Sequence, residues 1–206
     1  MSLHILIPCK SLAAGKSRLA PVLDAAARRV LCARFLDDTL ALALALVPPG
    51  RCHLVSADPE AAARAARRGV TVVADPGQGL NAALTAGRDA IVKTAGEALT
   101  LLILPIDLPF AAVDALAAFG DLRADVTIAP DRGRSGTNTL GLGAAAAKEF
   151  TLRFGPGSFA AHQEVAHLGH WHAAIFADPR LAFDLDQPED YREWQRSTNR
   201  WRAATP

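Results

Sequence analysis

An α/β fold built on a mostly parallel central sheet is predicted for this 206-residue chain by three observations. Short apolar runs alternate with helix-length segments through the first two-thirds of the sequence. Two of those runs, Val70–Val73 and Leu101–Leu104, are apolar on both faces, which is the pattern of central parallel strands. Polar and charged residues collect directly after the runs, where an open α/β sheet places its ligands.

Taken in order, Leu3–Ile7 is the first strand and Asp24–Leu46 the helix that follows it. The pairs Arg51–Ser56 with Asp58–Arg68, Val70–Ala74 with Leu80–Thr94, and Leu99–Leu104 with Ala111–Phe119 repeat the unit. Alanine-rich stretches such as Ala61–Ala66 suit helices that pack closely on a sheet. Beyond Ala124 the rhythm shortens to strands at Asp125–Ala129, Thr139–Leu142 and His172–Phe176, glycine-rich loops and one helix around Phe159–Leu168. This half is expected to complete the ligand side of the cleft. Residues 1–190 are read as one domain and 191–206 as an amphipathic tail. The tail carries Tyr191, Trp194 and Trp201, and either docks on the domain, makes a dimer contact or frays. Its aromatic residues, read as exposed, favour a homodimer.

Composition excludes several classes. A formal charge of +1 with scattered charges gives no face for nucleic acid and no polybasic tract for a membrane. The longest apolar segments, Leu40–Pro48 and Ala98–Leu104, are too short to span a bilayer, and no signal peptide precedes the first strand, so a cytoplasmic location is expected. Cys9, Cys32 and Cys52 lack metal-ligand and C-x-x-C spacing and read as buried thiols in a reducing compartment.

Residues 8–18, P-C-K-S-L-A-A-G-K-S-R, form a basic loop after the first strand, with Lys10, Lys16, Ser17 and Arg18 placed to hold a polyphosphate. Gly15-Lys16-Ser17 imitates the end of a Walker A loop, but Lys10 stands where that motif requires its first glycine. After the third strand comes Gly79-Leu80-Asn81, where a planar base can lie against backbone, or which is an ordinary turn into a helix. After the fourth comes Asp107, a carboxylate between Pro105 and Pro109, read either as a Mg²⁺ ligand or as a helix N-cap. The polar loop 130–138, with the Thr137 hydroxyl, and the Gly155–Ser158 turn into a helix are two candidate anion sites. Two anion sites suggest two phosphorylated substrates. The run Asp184-Leu185-Asp186 offers a carboxylate that can join Asp107 in holding a metal, or that merely caps the next helix. His162, His167, His170 and His172 read as core or surface imidazoles rather than zinc ligands. No G-x-S-x-G elbow and no G-x-G-x-x-G follows a strand, which removes serine hydrolases and dinucleotide-dependent dehydrogenases.

Six segments in one order resemble the phospholactate guanylyltransferase family of coenzyme F420 biosynthesis, the CofC/FbiD group. They are I-P-C-K-S-L-A-A-G-K-S-R-L-A, G-Q-G-L-N-A-A-L, L-P-I-D-L-P, I-A-P-D-R-G-R-S-G-T-N-T-L, F-G-P-G-S-F-A-A-H and F-D-L-D-Q-P-E-D, spanning Ile7 to about Asp190. The resemblance implies a Rossmann-like three-layer α/β/α nucleotidyltransferase fold that joins GMP from GTP to a small phosphorylated three-carbon acid and releases pyrophosphate. By the same motifs, Lys10, Leu12, Lys16, Ser17, Arg18, Gly79, Leu80 and Asn81 are expected on GTP. Thr137, Gly155 and Ser158 are expected on the phospho-acid, Asp107 and Asp186 on Mg²⁺, and Lys16 and Asp107 are the expected catalytic pair. Departures from the family pattern are Cys9 for valine, Gly15 in the basic loop and Gln187 for threonine. The acceptor stays open between 2-phospho-L-lactate, phosphoenolpyruvate and 3-phospho-D-glycerate. Alternatives are a nucleotidyltransferase of the same fold with a molybdopterin or sugar-phosphate acceptor, and a non-catalytic nucleotide-binding regulator.

Overall fold

The structure, a computed structural model, describes residues 2–95, 99–121 and 123–204, with side chains up to 198. Ala98, ahead of the fourth strand, lies outside the described residues, as does the side chain of Trp201. Seven strands form one sheet: β1 Ser2–Pro8, β2 Cys52–Ser56, β3 Thr71–Ala74, β4 Leu99–Ile103, β5 Val126–Pro130, β6 Thr137–Leu142 and β7 Ala173–Ile175. Their spatial order is β3-β2-β1-β4-β6-β5-β7. All neighbours run parallel except β6, which is antiparallel to both β4 and β5.

The helices are α1 Ala25–Leu46, α2 Pro59–Ala66, α3 Leu80–Ala95, α4 Val113–Gly120, α5 Ala144–Glu149, α6 Ser158–Leu168, α7 Pro179–Ala182 and α8 Pro188–Ala204. Alternation along β1 sends Ile5 and Ile7 to a core shared with α1, α2 and α4, while Leu6 faces a second core with α3, α5 and α6. The result is a three-layer α/β/α sandwich. Asp24 and Asp58 start α1 and α2 by accepting from Ala27 N–H at 2.7 Å and from Glu60 and Ala61 N–H at 2.9 and 3.0 Å. Asp178 followed by Pro179 starts α7 in the same way, although the sequence reading passed over both α5 and α7.

β3 is not a central strand. It pairs only with β2 at the sheet edge, and three of its four residues are exposed, Val72 at 37 %. An apolar run states that a strand has β propensity, but the order of strands, which sets how many faces are covered, is decided by the crossovers. The tail also differs from an exposed contact surface: α8 begins at Pro188, and Trp194 is buried against Phe35 with ring centroids 5.5 Å apart. The same small cluster includes Leu19, at the end of the basic loop, and Leu185, with Tyr191 packed against it, so the described aromatic residues of the tail dock on the domain. No helix of the described residues is long and apolar enough to cross a membrane.

β2 and β3 extend the sheet to one side of β1, and β4 lies on its other side. The loops after β1 and β4 therefore diverge and leave a crevice at their carboxyl ends, where ligands of such sheets bind.

Candidate active site

The basic loop is positioned from both ends. Leu19 is fully buried, and Gly15 lies so close to α1 that a β-carbon there would stand 2.6 Å from Cys32 Sγ. A side chain at 15 would have to displace Cys32 and crowd the Ser11 carbonyl, so glycine suits the close approach of loop to helix. Lys16 adopts the left-handed conformation at φ 54°, a strain of roughly 1–2 kcal/mol for a residue with a β-carbon. That backbone turns its side chain inward, where it is 8 % exposed, and Nζ donates to Asp107 Oδ2 at 2.8 Å and Asp186 Oδ1 at 2.7 Å. Burial pulls the Lys16 pKa down, but the two carboxylates outweigh it and hold the ammonium charged well above the usual lysine range. Arg18, at the surface, reaches the other oxygen of Asp186 at 3.3 Å.

The residue that caps α4 is Ala112, so Asp107 serves no helix as N-cap and its carboxylate is left for the cleft. The Leu185 N–H donates to the Asp107 carbonyl at 3.0 Å, which binds the Asp184–Asp186 segment to the loop after β4. Asp184 lies beside them, its carboxyl pushed up by burial and by the charges of Asp107 and Asp186. Among the described residues no three histidine, cysteine or acidic side chains stand in metal-holding geometry. Asp107, Asp184 and Asp186 nevertheless bring three carboxylates to one place, against the two cations Lys16 and Arg18. An all-oxygen, excess-negative set of this kind fits a hard divalent ion.

Two adjoining cavities open on this cluster. One, of about 300 Å³, is lined by Lys10, Asp75, Gly77, Gly79, Leu80 and Asp107. The other, of about 200 Å³, is lined by Thr137, Asn138, Gly155, Ser158, Asp184 and Asp107. Pro8, Leu80, Pro105 and Asp107 belong to both. Larger depressions of about 400 and 570 Å³ flank α1 but carry none of the polar residues that follow β1, β3 and β4.

Several residues singled out in the sequence have a narrower part than their type suggests. The Leu12 side chain is buried and its N–H donates to Asp58 at 2.9 Å, leaving only its carbonyl for a ligand. The Asn81 amide is taken up by Phe154, donating to its carbonyl at 2.9 Å and accepting from its N–H at 2.8 Å. Asn81 therefore fastens the loop of one cavity to the loop of the other. Thr137 is the first residue of β6, and the preceding turn is built by Asp131, which accepts from Ser135 N–H at 2.7 Å and Ser135 Oγ at 2.9 Å. At the start of α6 the N–H groups of Ser158 and Phe159 go to Gly155 and Ser135 carbonyls, so an anion there meets the glycine backbone and the hydroxyls. Cys9 is buried with its thiol pushed up to about 12 by burial and by Asp58 and Cys32, which leaves it inert.

His162 is the residue whose part the sequence concealed. It is fully buried, 2.9 Å from Thr137 Oγ1 through Nδ1, and accepts from Arg153 N–H at 3.0 Å through Nε2. His167, His170 and His172 are exposed. Burial holds the His162 pKa down to about 4, and burial together with His4 does the same to His53, whose Nε2 lies 3.2 Å from His4 Nδ1 across β1 and β2. A folded pKa below the unfolded 6.5 means that these groups add stability above about pH 6.5 and lose it as pH falls toward 4. Stability is expected to fall through that window by on the order of 3 kcal/mol per histidine, and the thermal midpoint falls with it. His53→Phe flattens the slope in calorimetry, and a midpoint that stays level from pH 7 to 4 contradicts the assignment.

The chain is similar to known proteins along most of its length. The family model described as "Guanylyl transferase CofC like" matches residues 3–197. A protein named phosphoenolpyruvate guanylyltransferase from Sphaerobacter thermophilus is 38 % identical over 196 residues, covering 94 % of this chain and 92 % of its own. Its namesake from Chloroflexus aggregans is 39 % identical, with 92 % and 95 % covered. Among solved structures, a nucleotidyl transferase from Methanothermobacter superposes with TM-score 0.65 at 16 % identity, covering 96 % of this chain and 98 % of its own. A 4-diphosphocytidyl-2C-methyl-D-erythritol synthase gives 0.66 at 17 %, with 94 % and 96 % covered. These structural likenesses show the fold.

Proposed function

Because the chain belongs to the CofC-like guanylyl transferase family, we propose that it joins GMP from GTP to a phosphorylated three-carbon acid, with release of pyrophosphate, in coenzyme F420 biosynthesis. The observation that carries this reading is the pair of cavities with Asp107 in their common wall. GTP takes the cavity of Lys10 and Gly79, with its phosphates toward Lys16 and Arg18, and the phospho-acid takes the cavity of Thr137, Gly155 and Ser158. The name borne by the relatives favours phosphoenolpyruvate as acceptor.

A phosphate oxygen of the acid attacks the α-phosphorus in line, a P–O–P bond forms, and the bond to the β-phosphate oxygen breaks. No covalent intermediate on the protein is needed. Both reactants are anions, so the protein's work is to place and neutralise them. Lys16, held on Asp107 of the shared wall, supplies a buried positive charge. Asp107 and Asp186, with Asp184 beside them, are the residues to hold Mg²⁺, which when bound neutralises charge developing on the phosphates.

The Thr137 N–H donates to Ser158 Oγ at 2.8 Å, and the Ser158 hydroxyl proton, which has no acceptor among the described residues, is left for the acid. Ser158→Ala is expected to raise the KM for the acid about ten-fold, leave the KM for GTP unchanged, and cost about 1–3 kcal/mol of stability through the orphaned N–H. Steady-state kinetics and thermal melts check both.

The deciding experiment measures pyrophosphate release with Mg²⁺, each of the four NTPs and each of the three candidate acids, with mass detection of the product. GTP-dependent release with phosphoenolpyruvate is expected. Release with another nucleotide, or GTP binding without release with any acid, overturns the proposal.

A further inference from the structure

The hydrogen-bond chain behind the second cavity fixes the direction of each proton in it. A backbone N–H only donates, so the Arg153 N–H at 3.0 Å requires an unprotonated Nε2 on His162. The neutral ring then carries its proton on Nδ1, which points at Thr137 Oγ1 at 2.9 Å. Phe150 and Phe154 flank the ring, with centroids 5.9 and 4.8 Å away, and hold it in this orientation. Thr137 Oγ1 thus receives a proton from the interior. Its own hydroxyl proton has no acceptor among the described residues and is left for the cavity. Ser158 Oγ repeats the arrangement with the Thr137 N–H. Both hydroxyls are loaded from inside and donate outward, a pairing suited to an ionised oxygen that can only accept.

We propose that His162 is a positioning residue for the acceptor substrate: by donating from Nδ1 to Thr137 Oγ1 it directs the Thr137 hydroxyl proton into the cavity, toward an anionic oxygen of the phospho-acid. The inference rests on the phospho-acid reading of this cavity given above. Burial that keeps the ring neutral supports it, since a second ring proton would face the Arg153 N–H.

The first test is independent of turnover. Nitrogen NMR of ¹⁵N-histidine-labelled protein is expected to find the His162 proton on Nδ1 at neutral pH, and a proton on Nε2 overturns the proposal. The second is a mutant cycle in steady-state kinetics with GTP and phosphoenolpyruvate. His162→Gln, whose amide oxygen reaches the Nε2 position and accepts from the Arg153 N–H while no N–H is left at the Nδ1 position, is expected to raise the phosphoenolpyruvate KM about ten-fold with the GTP KM unchanged. Added to Thr137→Val it is expected to cause no further loss, and His162→Asn, which restores an N–H near the Nδ1 position, recovers part of the deficit. Losses that multiply in the double variant, or a matching rise in the GTP KM, reduce His162 to a core residue and overturn the inference. If the unsubstituted protein turns over none of the acids, the guanylyltransferase reading fails, and the NMR result alone decides the fate of the His162 assignment.

Discussion

Replacing Asp107 with asparagine is expected to lower kcat about 10²–10³-fold, the usual cost of removing one preorganised electrostatic partner. Asp107 is the polar residue common to both cavities and one of two carboxylates on the Lys16 ammonium. Asparagine keeps its shape and can still accept from Lys16 through its amide oxygen, but it removes the charge that a divalent ion and the reacting phosphates meet. The side chain is 27 % exposed and caps no helix, so little stability is lost. Pyrophosphate release and a thermal melt on the same preparation separate the two effects. Near-normal turnover in a folded variant rejects Asp107 as the central carboxylate.

Lys16→Ala is the second large effect. It leaves Asp107 and Asp186 facing each other without their shared cation, and removing one partner from a buried ion pair costs about 3–5 kcal/mol. The two carboxylates are partly exposed, which reduces the expected loss here to about 1–3 kcal/mol. Because the folded pKa of Lys16 is raised, its contribution is complete below the unfolded value of 10.5 and fades only at higher pH. The stability gap between the two proteins is therefore constant across the neutral range. In kinetics the variant is expected to lose use of GTP, with kcat/KM for GTP lower by about 10²-fold or more. Ser158→Ala damages use of the acid instead. If both variants raised only the KM for GTP, the assignment of two separate cavities would be wrong.

The sequence was legible where local chemistry is enough. Alternating apolar runs and helical segments marked all seven strands, and the helical segments read from Asp24 and Asp58 begin where the structure caps them, because an N-cap needs only its next three residues. The basic loop and Asp107 stood out because charge directly after an apolar strand has few local reasons to be there. Other features were hidden. The edge position of β3 depends on which strand the third crossover reaches, and no property of Val70–Val73 encodes it. Trp194 looked like exposed tail because its partner Phe35 is remote in sequence.

What the sequence by itself determined is the set of chemical groups and the fold that carries them to one edge of a sheet: Lys10, Lys16 and Arg18 after β1, Asp107 after β4, and Thr137 and Ser158 in the second half. What only the tertiary structure decided is how those groups are spent. Asn81, expected beside a base, gives its amide to Phe154, and His162, an ordinary core imidazole by sequence, holds Thr137. Lys16 stands between two aspartates 91 and 170 residues away. The physical reason is that donor and acceptor types are local properties of a residue, whereas the partner that satisfies each one is a property of long-range packing.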